Sequence, residues 1–152
     1  MPRRRRARPG ERDIAALLEI LEQRLATPHR IGRRQNDCIA FMLAAVKAQT
    51  GHNPIGRASW SSWRGALRVL RRLAGPGVDR RAAIERLLDR HFRRIAPAEA
   101  MRGDIAGVSD PLLGIHPAIV EGETLAMPGD DGLKRLPRRA MVAAWSAVDR
   151  PE

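Results

Sequence analysis

The residue of this chain best suited to covalent chemistry is its single cysteine, Cys38. It follows Asn36 and Asp37, either of which can cap a helix, and it precedes an apolar run from Ile39 to Ala48. A cysteine in the first turn of a helix lies near unpaired backbone amides and the positive end of the helix dipole, and both stabilise a thiolate. This position is typical of a cysteine nucleophile. The alternative is that Cys38 is a small buried hydrophobic residue.

The other polar and aromatic residues offer less chemistry. Asp37 and Asp104 could form a carboxylate pair, but Asp37 is placed to cap a helix and Asp104 to accept hydrogen bonds from turn amides before a strand. Trp60, Trp63 and Trp145 are too scattered to form a base-stacking platform, so we expect them to pack in the core or at an interface. One cysteine cannot form an internal disulfide or, alone, a thiolate metal site. We therefore expect no metal and no cofactor.

Helical periodicity in the first two thirds of the chain and short apolar runs in the last third predict an α+β fold. The predicted helices run from Asp13 to Leu25, from Ile39 to Ala48 with Cys38 in the first turn, from Ser61 or Ser62 to Leu73, and from about Arg80 to Phe92. The predicted strands are Ile105–Val108, Leu112–Val120, Thr124–Met127 and Ala143–Val148, with a turn at Gly129–Gly132. The second helix is apolar on nearly every side, which indicates burial. We expect it to pack against an antiparallel sheet.

The length of 152 residues favours one domain, which we place at residues 11–150. Residues 1–10 contain five arginines and two prolines, and we expect a disordered basic arm. No stretch is long and apolar enough to span a membrane, and no apolar run follows the basic N-terminus as in a signal peptide. The sequence thus predicts a soluble protein that remains in the cytoplasm on synthesis.

The formal net charge of +11 ordinarily suggests a polyanionic partner. Five of these charges lie in the N-terminal arm, and lysine is nearly absent, which indicates a bias in base composition more than selection for phosphate contacts. The arginines of the third helix could contact phosphate or form a solvated face: Arg64, Arg68, Arg71 and Arg72. Nucleic-acid binding, through this face or the arm, is the last of three functional hypotheses.

The residues around Cys38 resemble a known family. Asp37–Met42 resembles the aspartate-cysteine-x-x-phenylalanine motif that opens the central helix of NlpC-type cell-wall peptidases, a papain-like superfamily. Gly103 and Asp104 resemble the glycine-aspartate motif that begins the first core strand of that family, and Gly114 lies where it has paired strands. The resemblance implies a papain-like fold in which Cys38 is the nucleophile.

A longer set of motifs is similar to a family encoded in phage and prophage tail-gene clusters, which resembles a divergent branch of the NlpC-type fold. The motifs are Arg33–Cys38, Thr50–Pro54, the glycine-aspartate strand, Gly132-Leu133 and Ala144-Trp145. This resemblance covers roughly residues 12–148. It implies a tail-associated protein, with other tail proteins and peptidoglycan as its partners and the virion tail as its destination.

The chain departs from the NlpC-type pattern where the catalytic base should be. The position of the family's histidine is Leu112, and that of the third, orienting residue is about Ala126. His116 is the nearest substitute, on the same face of the predicted strand as position 112, but four residues along a strand cover about 13 Å. Pro117 also argues against regular strand pairing there. We expect the remaining histidines to be solvated: His29, His52 and His91.

Two hypotheses follow from this pattern. In the first, the protein is a structural or assembly component of a phage tail with a degenerate active site, because a thiol without a base is mostly protonated at neutral pH. In the second, it is an active papain-like cysteine hydrolase that cuts peptide bonds of peptidoglycan as a phage penetrates the cell wall. Cys38 would attack, and His116 is the candidate base.

Overall fold

The computed structural model describes residues 10–151, and the N-terminal arm predicted at residues 1–10 lies outside them except for Gly10. The described chain has four helices followed by strands, which confirms the α+β prediction. The helices are α1 (Ile14–Arg24), α2 (Cys38–Thr50), α3 (Trp63–Ala74) and α4 (Arg80–His91). The strands are β1 (Arg94–Ile95), β2 (Ile105–Asp110), β3 (Gly114–Val120), β4 (Thr124–Gly129), β5 (Gly132–Pro137) and β6 (Met141–Trp145). Short 3-10 helices lie at Pro97–Glu99 and Arg138–Ala140.

Each helix begins where a side chain accepts a hydrogen bond from a backbone amide three residues later. The capping residues are Asp13, Asp37, Ser62 and Asp79. At the other end of α2, Gly51 adopts a left-handed conformation with φ 74°, which a glycine tolerates without steric cost. Because caps are local signals, the predicted helix boundaries agree with the structure to within two residues.

The strands form a single antiparallel sheet in the order β1-β6-β2-β3-β4-β5. The predicted strand from Leu112 begins only at Gly114, because the Asp110 carboxylate accepts hydrogen bonds from the Leu112 and Leu113 amides and holds them in a turn. The final strand ends at Trp145, three residues before the predicted end. Both edge strands, β1 and β5, were absent from the prediction.

Two groups of buried side chains cover the two faces of the sheet. On one face, α2 packs against β3 and β4, α4 packs against β3, and α1 lies beside α2. We call this the helix-side core, and its members include Phe41, Ile115 and Trp145. The opposite face carries a smaller outer core, with Val108, Ala118 and Leu125 among its members. The expected buried central helix is therefore α2, and it lies on one side of the sheet only.

Pro117 does not interrupt the pairing of β3 with β2, contrary to the sequence-based expectation. It lies opposite Gly107 in a continuous register. Val120 exchanges backbone hydrogen bonds with Gly103 and Asp104 on the β2 side, and since these directions alternate along a strand, Pro117 turns its nitrogen toward β4. There β3 pairs with β4 only at Ile119 and Val120, so the missing donor costs no ladder hydrogen bond.

Candidate functional site

Asp37 positions the start of α2 and thus Cys38. Of the two capping candidates, Asp37 is the one used, because its Oδ1 accepts a hydrogen bond from the Ala40 amide at 2.8 Å. Its Oδ2 accepts two more, from the Gly32 amide at 2.9 Å and from the Trp60 indole at 2.7 Å. The carboxylate is buried. It therefore anchors the start of the helix to two loops.

Asn36, the other capping candidate, has a different task. Its side chain is buried, donates to the Thr27 carbonyl at 3.0 Å and accepts from the Arg24 guanidinium at 3.3 Å. It thus connects the end of α1 to the segment that leads into α2.

Cys38 lines a cavity of about 860 Å³ that is enclosed mainly by apolar side chains. Helices α2, α3 and α4 form most of the wall, and the β2–β3 turn closes one end. Polar lining residues are few, and they include Ser109, Asp110 and His116 near that end as well as His29, Asp37, His91 and Lys134. The volume falls within the range of about 300–1,000 Å³ that is usual for ligand sites. Cys38 is half-buried, and its thiol meets this apolar space.

The environment of Cys38 favours the neutral thiol. Burial raises its pKa to about 12, and the negative charges of Asp37 and Asp110 add to the shift. Hydrogen bonds from the backbone at Ile39 and at Cys38 itself lower the pKa, but they do not outweigh these effects. The helix N-terminus was expected to activate the cysteine. It fails to do so because the first turn is desolvated and bordered by two carboxylates.

His116 lies on the outer face of the sheet. Its cross-strand partner is Val108, a member of the outer core, and directly paired residues share a face. Helix α2 packs on the other face, so the sheet separates the imidazole from Cys38. The His116 Nδ1 lies 3.3 Å from the Pro117 carbonyl oxygen, and within the described residues no hydrogen bond joins His116 to the thiol.

The protonation of His116 is set by its surroundings. Burial lowers the pKa of His116, the hydrogen bond to Pro117 and the charge of Asp110 oppose that effect, and Lys134 adds to it. Both His116 and Cys38 border the same cavity because it continues around the end of the β2–β3 hairpin onto both faces. The structure thus brings them to one cavity without bringing them into contact.

The two positions that the NlpC-type pattern assigns to catalytic partners carry apolar side chains, Leu112 and Ala126. Leu112 lies in the β2–β3 turn with 58% of its surface exposed, so it does not share a strand face with His116 as predicted. Ala126 is fully buried in the helix-side core, opposite Ile119. Neither position places a proton acceptor beside Cys38.

Two of the other three histidines, His52 and His91, are less solvated than predicted. His91 is half-buried and lines the cavity, and burial together with the charges of Arg90 and Arg150 lowers its pKa. His52 is half-buried with its ring edge against Phe92, at 6.5 Å between ring centroids. His29 is exposed, as expected, at the rim of the cavity. Across residues 10–151 none of these rings is hydrogen-bonded to Cys38.

Asp104 has the structural role that the sequence predicted. Its side chain accepts hydrogen bonds from the Met101 amide at 2.8 Å, the Ala147 amide at 3.1 Å and the Arg12 guanidinium at 2.9 Å. With three donors, the buried carboxylate is satisfied. It fixes the turn before β2 and ties both ends of the described chain to it.

Position 103, next to Asp104, requires a glycine because the Gln49 side chain lies too close for any Cβ. Its φ of +93° is unfavourable for other residues, and an added Cβ would lie 2.0 Å from the Gln49 Oε1. The Gln49 Nε2 donates to the Gly103 carbonyl at 3.0 Å, which joins the end of α2 to the start of β2. The glycine-aspartate motif therefore organises the fold and lies apart from Cys38.

Gly114 and Trp145 are also structural. Gly114 has φ +82°, and an added Cβ would approach the Arg81 Cβ of α4 to 2.6 Å. Trp145 is fully buried, and its indole donates to Asp89 at 2.8 Å while Arg94 stacks on the ring at 4.8 Å. These contacts hold α4 against the sheet.

Two residues near the thiol escaped the sequence reasoning. Trp60 reaches Asp37 from 23 positions away, and Asp110 acts on both Cys38 and His116 from the β2–β3 turn. Neither belongs to a local motif that could have revealed it. Among residues 10–151 no group of three histidine, cysteine or acidic side chains is arranged to hold a metal ion. No helix of that part of the chain is long and apolar enough to cross a membrane.

A comparison with protein families gives one match across nearly all of the chain. The model of a domain of unknown function, DUF6950, matches residues 11–147. This stretch includes all four helices and all six strands. No curated protein matches the chain at a significant level.

Proposed function

The chain belongs to the DUF6950 family, whose function is unknown. From its sequence motifs we propose that it is a phage or prophage tail-associated protein with an NlpC-type papain-like fold. In this proposal it is a structural or assembly component whose active site is degenerate. The fold assignment is supported by a cysteine at the start of a buried helix, packed on an antiparallel sheet whose first long strand follows Gly103-Asp104. The tail assignment rests on the sequence resemblance.

One observation supports a degenerate site: among residues 10–151 no histidine is hydrogen-bonded to Cys38, and burial raises the pKa of the thiol to about 12. At pH 7 such a thiol is ionised in about one molecule in 10⁵. A reactive cysteine nucleophile usually has its pKa lowered below 7.5 by a histidine or a helix N-terminus. The two carboxylates that border Cys38 act in the opposite direction, because each disfavours a second negative charge.

An active papain-like hydrolase is the second candidate. The observation that favours it is the position of Cys38 at a cavity of ligand size, where a peptide could reach the sulfur. Its base would have to be His91 or His116, the half-buried histidines that line the same cavity. Either ring would have to move toward the thiol, since neither is hydrogen-bonded to it among the described residues.

The pH dependence of alkylation separates the two candidates. We expect iodoacetamide to modify folded Cys38 with a rate that is still rising at pH 10, whereas the urea-unfolded chain should show an ordinary thiol pKa near 9. Cys38→Ser is the blank. An apparent pKa below 7 in the folded protein, shifted by His91→Ala or His116→Ala, would identify an activated dyad and reject the proposal.

Tail association is tested in the phage or prophage that encodes the chain. Removal of its gene should leave tails incomplete or particles non-infectious, and expression of the wild-type chain should restore them. Cys38→Ser should restore them equally well, because the proposed role needs no nucleophile. Restoration by wild-type alone would favour the hydrolase, and normal particles without the gene would contradict a role in the tail.

A further inference from the structure

Helix α3 carries four arginines on the side that faces away from the cavity. Arg64, Arg68 and Arg72 follow one another at intervals of four residues, and Arg71 lies three residues after Arg68. At 3.6 residues per turn, these positions fall within about 100° of the helix circumference. All four side chains are exposed, and none of them lines the cavity. We call them the α3 basic face.

The charge of this face is not neutralised by the rest of the described chain. Within residues 10–151 none of the four arginines forms an ion pair with a carboxylate. The surrounding sequence supplies no acid either, since residues 38–78 contain six lysines and arginines and no aspartate or glutamate. All seventeen acidic residues of the chain lie outside this stretch. The positive charge of α3 is therefore directed to solvent.

Helix α4 has the opposite arrangement, although it is equally rich in arginine. Its arginines alternate with Glu85 and Asp89, and its Arg81 forms an ion pair with Glu85 at 3.5 Å. Two more, Arg86 and Arg90, donate to carbonyls of the last turn of α3. A bias in base composition would raise the arginine content of both helices, but it does not account for the absence of acids from α3 alone.

The α3 basic face also works against the stability of its own helix. Like charges three or four residues apart repel one another, as Arg68 does with Arg64, Arg71 and Arg72. A bound polyanion would relieve this repulsion. Arginines four residues apart are separated by about 6 Å along the helix axis. Alternate phosphates of one DNA strand are separated by about 6.8 Å along the duplex axis, so the two spacings are similar.

We propose that the α3 basic face binds the phosphate backbone of duplex DNA. Guanidinium groups donate paired hydrogen bonds to phosphate oxygens, and the face offers four of them in one row. The helix is accessible, because only Ala74 of its twelve residues is fully buried. Contacts to phosphate carry no sequence information, so the binding is independent of base sequence. The inference does not rest on the proposed function.

Other polyanionic partners fit the face less well. A protein interface is usually anchored by large apolar side chains, and the exposed ones of this chain lie outside α3: Leu18, Leu25, Met101, Leu112 and Val142. A membrane-bound helix inserts its apolar side, but that side of α3 faces the cavity. The major groove of duplex RNA is too narrow and deep for side chains to read, whereas that of B-DNA admits a helix.

The probe is a fluorescein-labelled DNA duplex of about 20 base pairs, measured by anisotropy against the full chain between 50 and 200 mM KCl. We expect saturable binding that two unrelated base sequences share to within threefold. The logarithm of the affinity should fall linearly with the logarithm of the salt concentration, because phosphate contacts release counterions. An RNA duplex, vesicles of anionic phospholipid and polyglutamate are measured in parallel.

Two double variants locate the binding surface. Arg68→Gln/Arg72→Gln should weaken DNA binding at least tenfold at 50 mM KCl and reduce the salt slope by about 2, at about 0.9 for each lost phosphate contact. The charge-matched control, Arg102→Gln/Arg139→Gln, changes two exposed arginines outside α3. It should weaken binding less than threefold and leave the slope within about 0.5. The N-terminal arginines are the same in every variant, so the differences report on α3. Circular dichroism confirms that each variant is folded.

Three results would overturn the proposal. The first is an absence of saturable DNA binding at 50 mM KCl. The second is equal weakening by the two double variants, which would mean that net charge alone attracts DNA. The third is tighter binding of the RNA duplex, the vesicles or polyglutamate than of DNA, with Arg68→Gln/Arg72→Gln weakening that binding. Cys38→Ser should bind DNA as wild-type does, so this experiment and the alkylation of the thiol can fail separately.

Discussion

Helices α2 and α3 are nearly equal in length, but the fold uses them in opposite ways. Helix α2 is apolar on all sides, lies against β3 and β4, and contains fully buried residues such as Phe41, Ala45 and Val46. Helix α3 separates a basic side from an apolar stripe, and of its residues only Ala74 is fully buried. The comparison teaches that the apolar surface of α2 is spent on the core, while much of that of α3 stays half-exposed along the cavity.

The N-terminal caps of the two helices also differ in burial and in the number of hydrogen bonds they accept. The α2 cap, Asp37, is buried and accepts hydrogen bonds from three donors, one of them the indole of Trp60. The α3 cap, Ser62, is exposed and accepts a single hydrogen bond from the Gly65 amide at 3.0 Å. Cys38 is therefore held on the more rigid helix, and the cavity wall opposite it belongs to the less firmly packed one.

A leucine-to-alanine substitution in each helix tests this comparison. It should give the largest change in the free energy of unfolding among these predictions. Leu43→Ala in α2 should lower the free energy of unfolding by about 2–5 kcal/mol, because it removes a nearly fully buried side chain. Leu67→Ala in α3 should cost less than about 1.5 kcal/mol, because that side chain is already half-exposed to the cavity. Urea denaturation followed by circular dichroism measures both. Equal losses of unfolding free energy in the two variants would contradict this difference between the helices, since they would mean that α3 packs as firmly as α2.

The elements of this fold were predictable where the signal is local. Asp13, Asp37, Ser62 and Asp79 cap helices in the structure as their residue types favour, and Gly51 ends α2. The order of helices before strands was sufficient to give the α+β class. The edge strands escaped prediction for a local reason too: β1 has two residues, and β5 reads Gly-Leu-Lys-Arg-Leu-Pro, without the alternation of a half-buried strand.

The site was predictable only in part, because it depends on contacts between distant segments. The sequence placed Cys38 at a helix start, and the structure agrees. It could not show that Asp110 approaches the thiol from the β2–β3 turn, or that His116 lies on the outer face of the sheet. Both facts depend on the register of β2 with β3. Because of them, the pKa of the thiol is not lowered as the sequence predicted.

Removal of the α2 cap should give the second largest effect. Asp37→Ala loses the helix cap and leaves the Trp60 indole and the Gly32 amide without an acceptor in a buried site, so we expect a loss of roughly 2–4 kcal/mol. Ser62→Ala removes only the exposed α3 cap and should cost about 0.5–1 kcal/mol. The measurement is the midpoint and slope of urea unfolding.

A second aspartate controls for the change in residue type. Asp79 caps α4 from an exposed position with one hydrogen bond to the Ala82 amide, so Asp79→Ala should behave like Ser62→Ala. If Asp37→Ala proved as mild as Asp79→Ala, the buried hydrogen bonds at the start of α2 would contribute little to its rigidity.

The smallest effect is a dependence of stability on alkaline pH, and it comes from the thiol at the start of α2. The pKa of Cys38 is raised to about 12 in the folded protein, against an ordinary value near 9, so the unfolded chain loses its proton first as the pH rises. Stability due to the protonated thiol is complete below about pH 9 and declines above it, by up to about 1.4 kcal/mol per pH unit. Between pH 9 and 10.5, wild-type should lose roughly 1–2 kcal/mol more than Cys38→Ser in urea unfolding. Parallel profiles for the two proteins would mean that the folded thiol ionises as readily as the unfolded one. Burial, with the nearby charges of Asp37 and Asp110, would then not hold Cys38 in its neutral form.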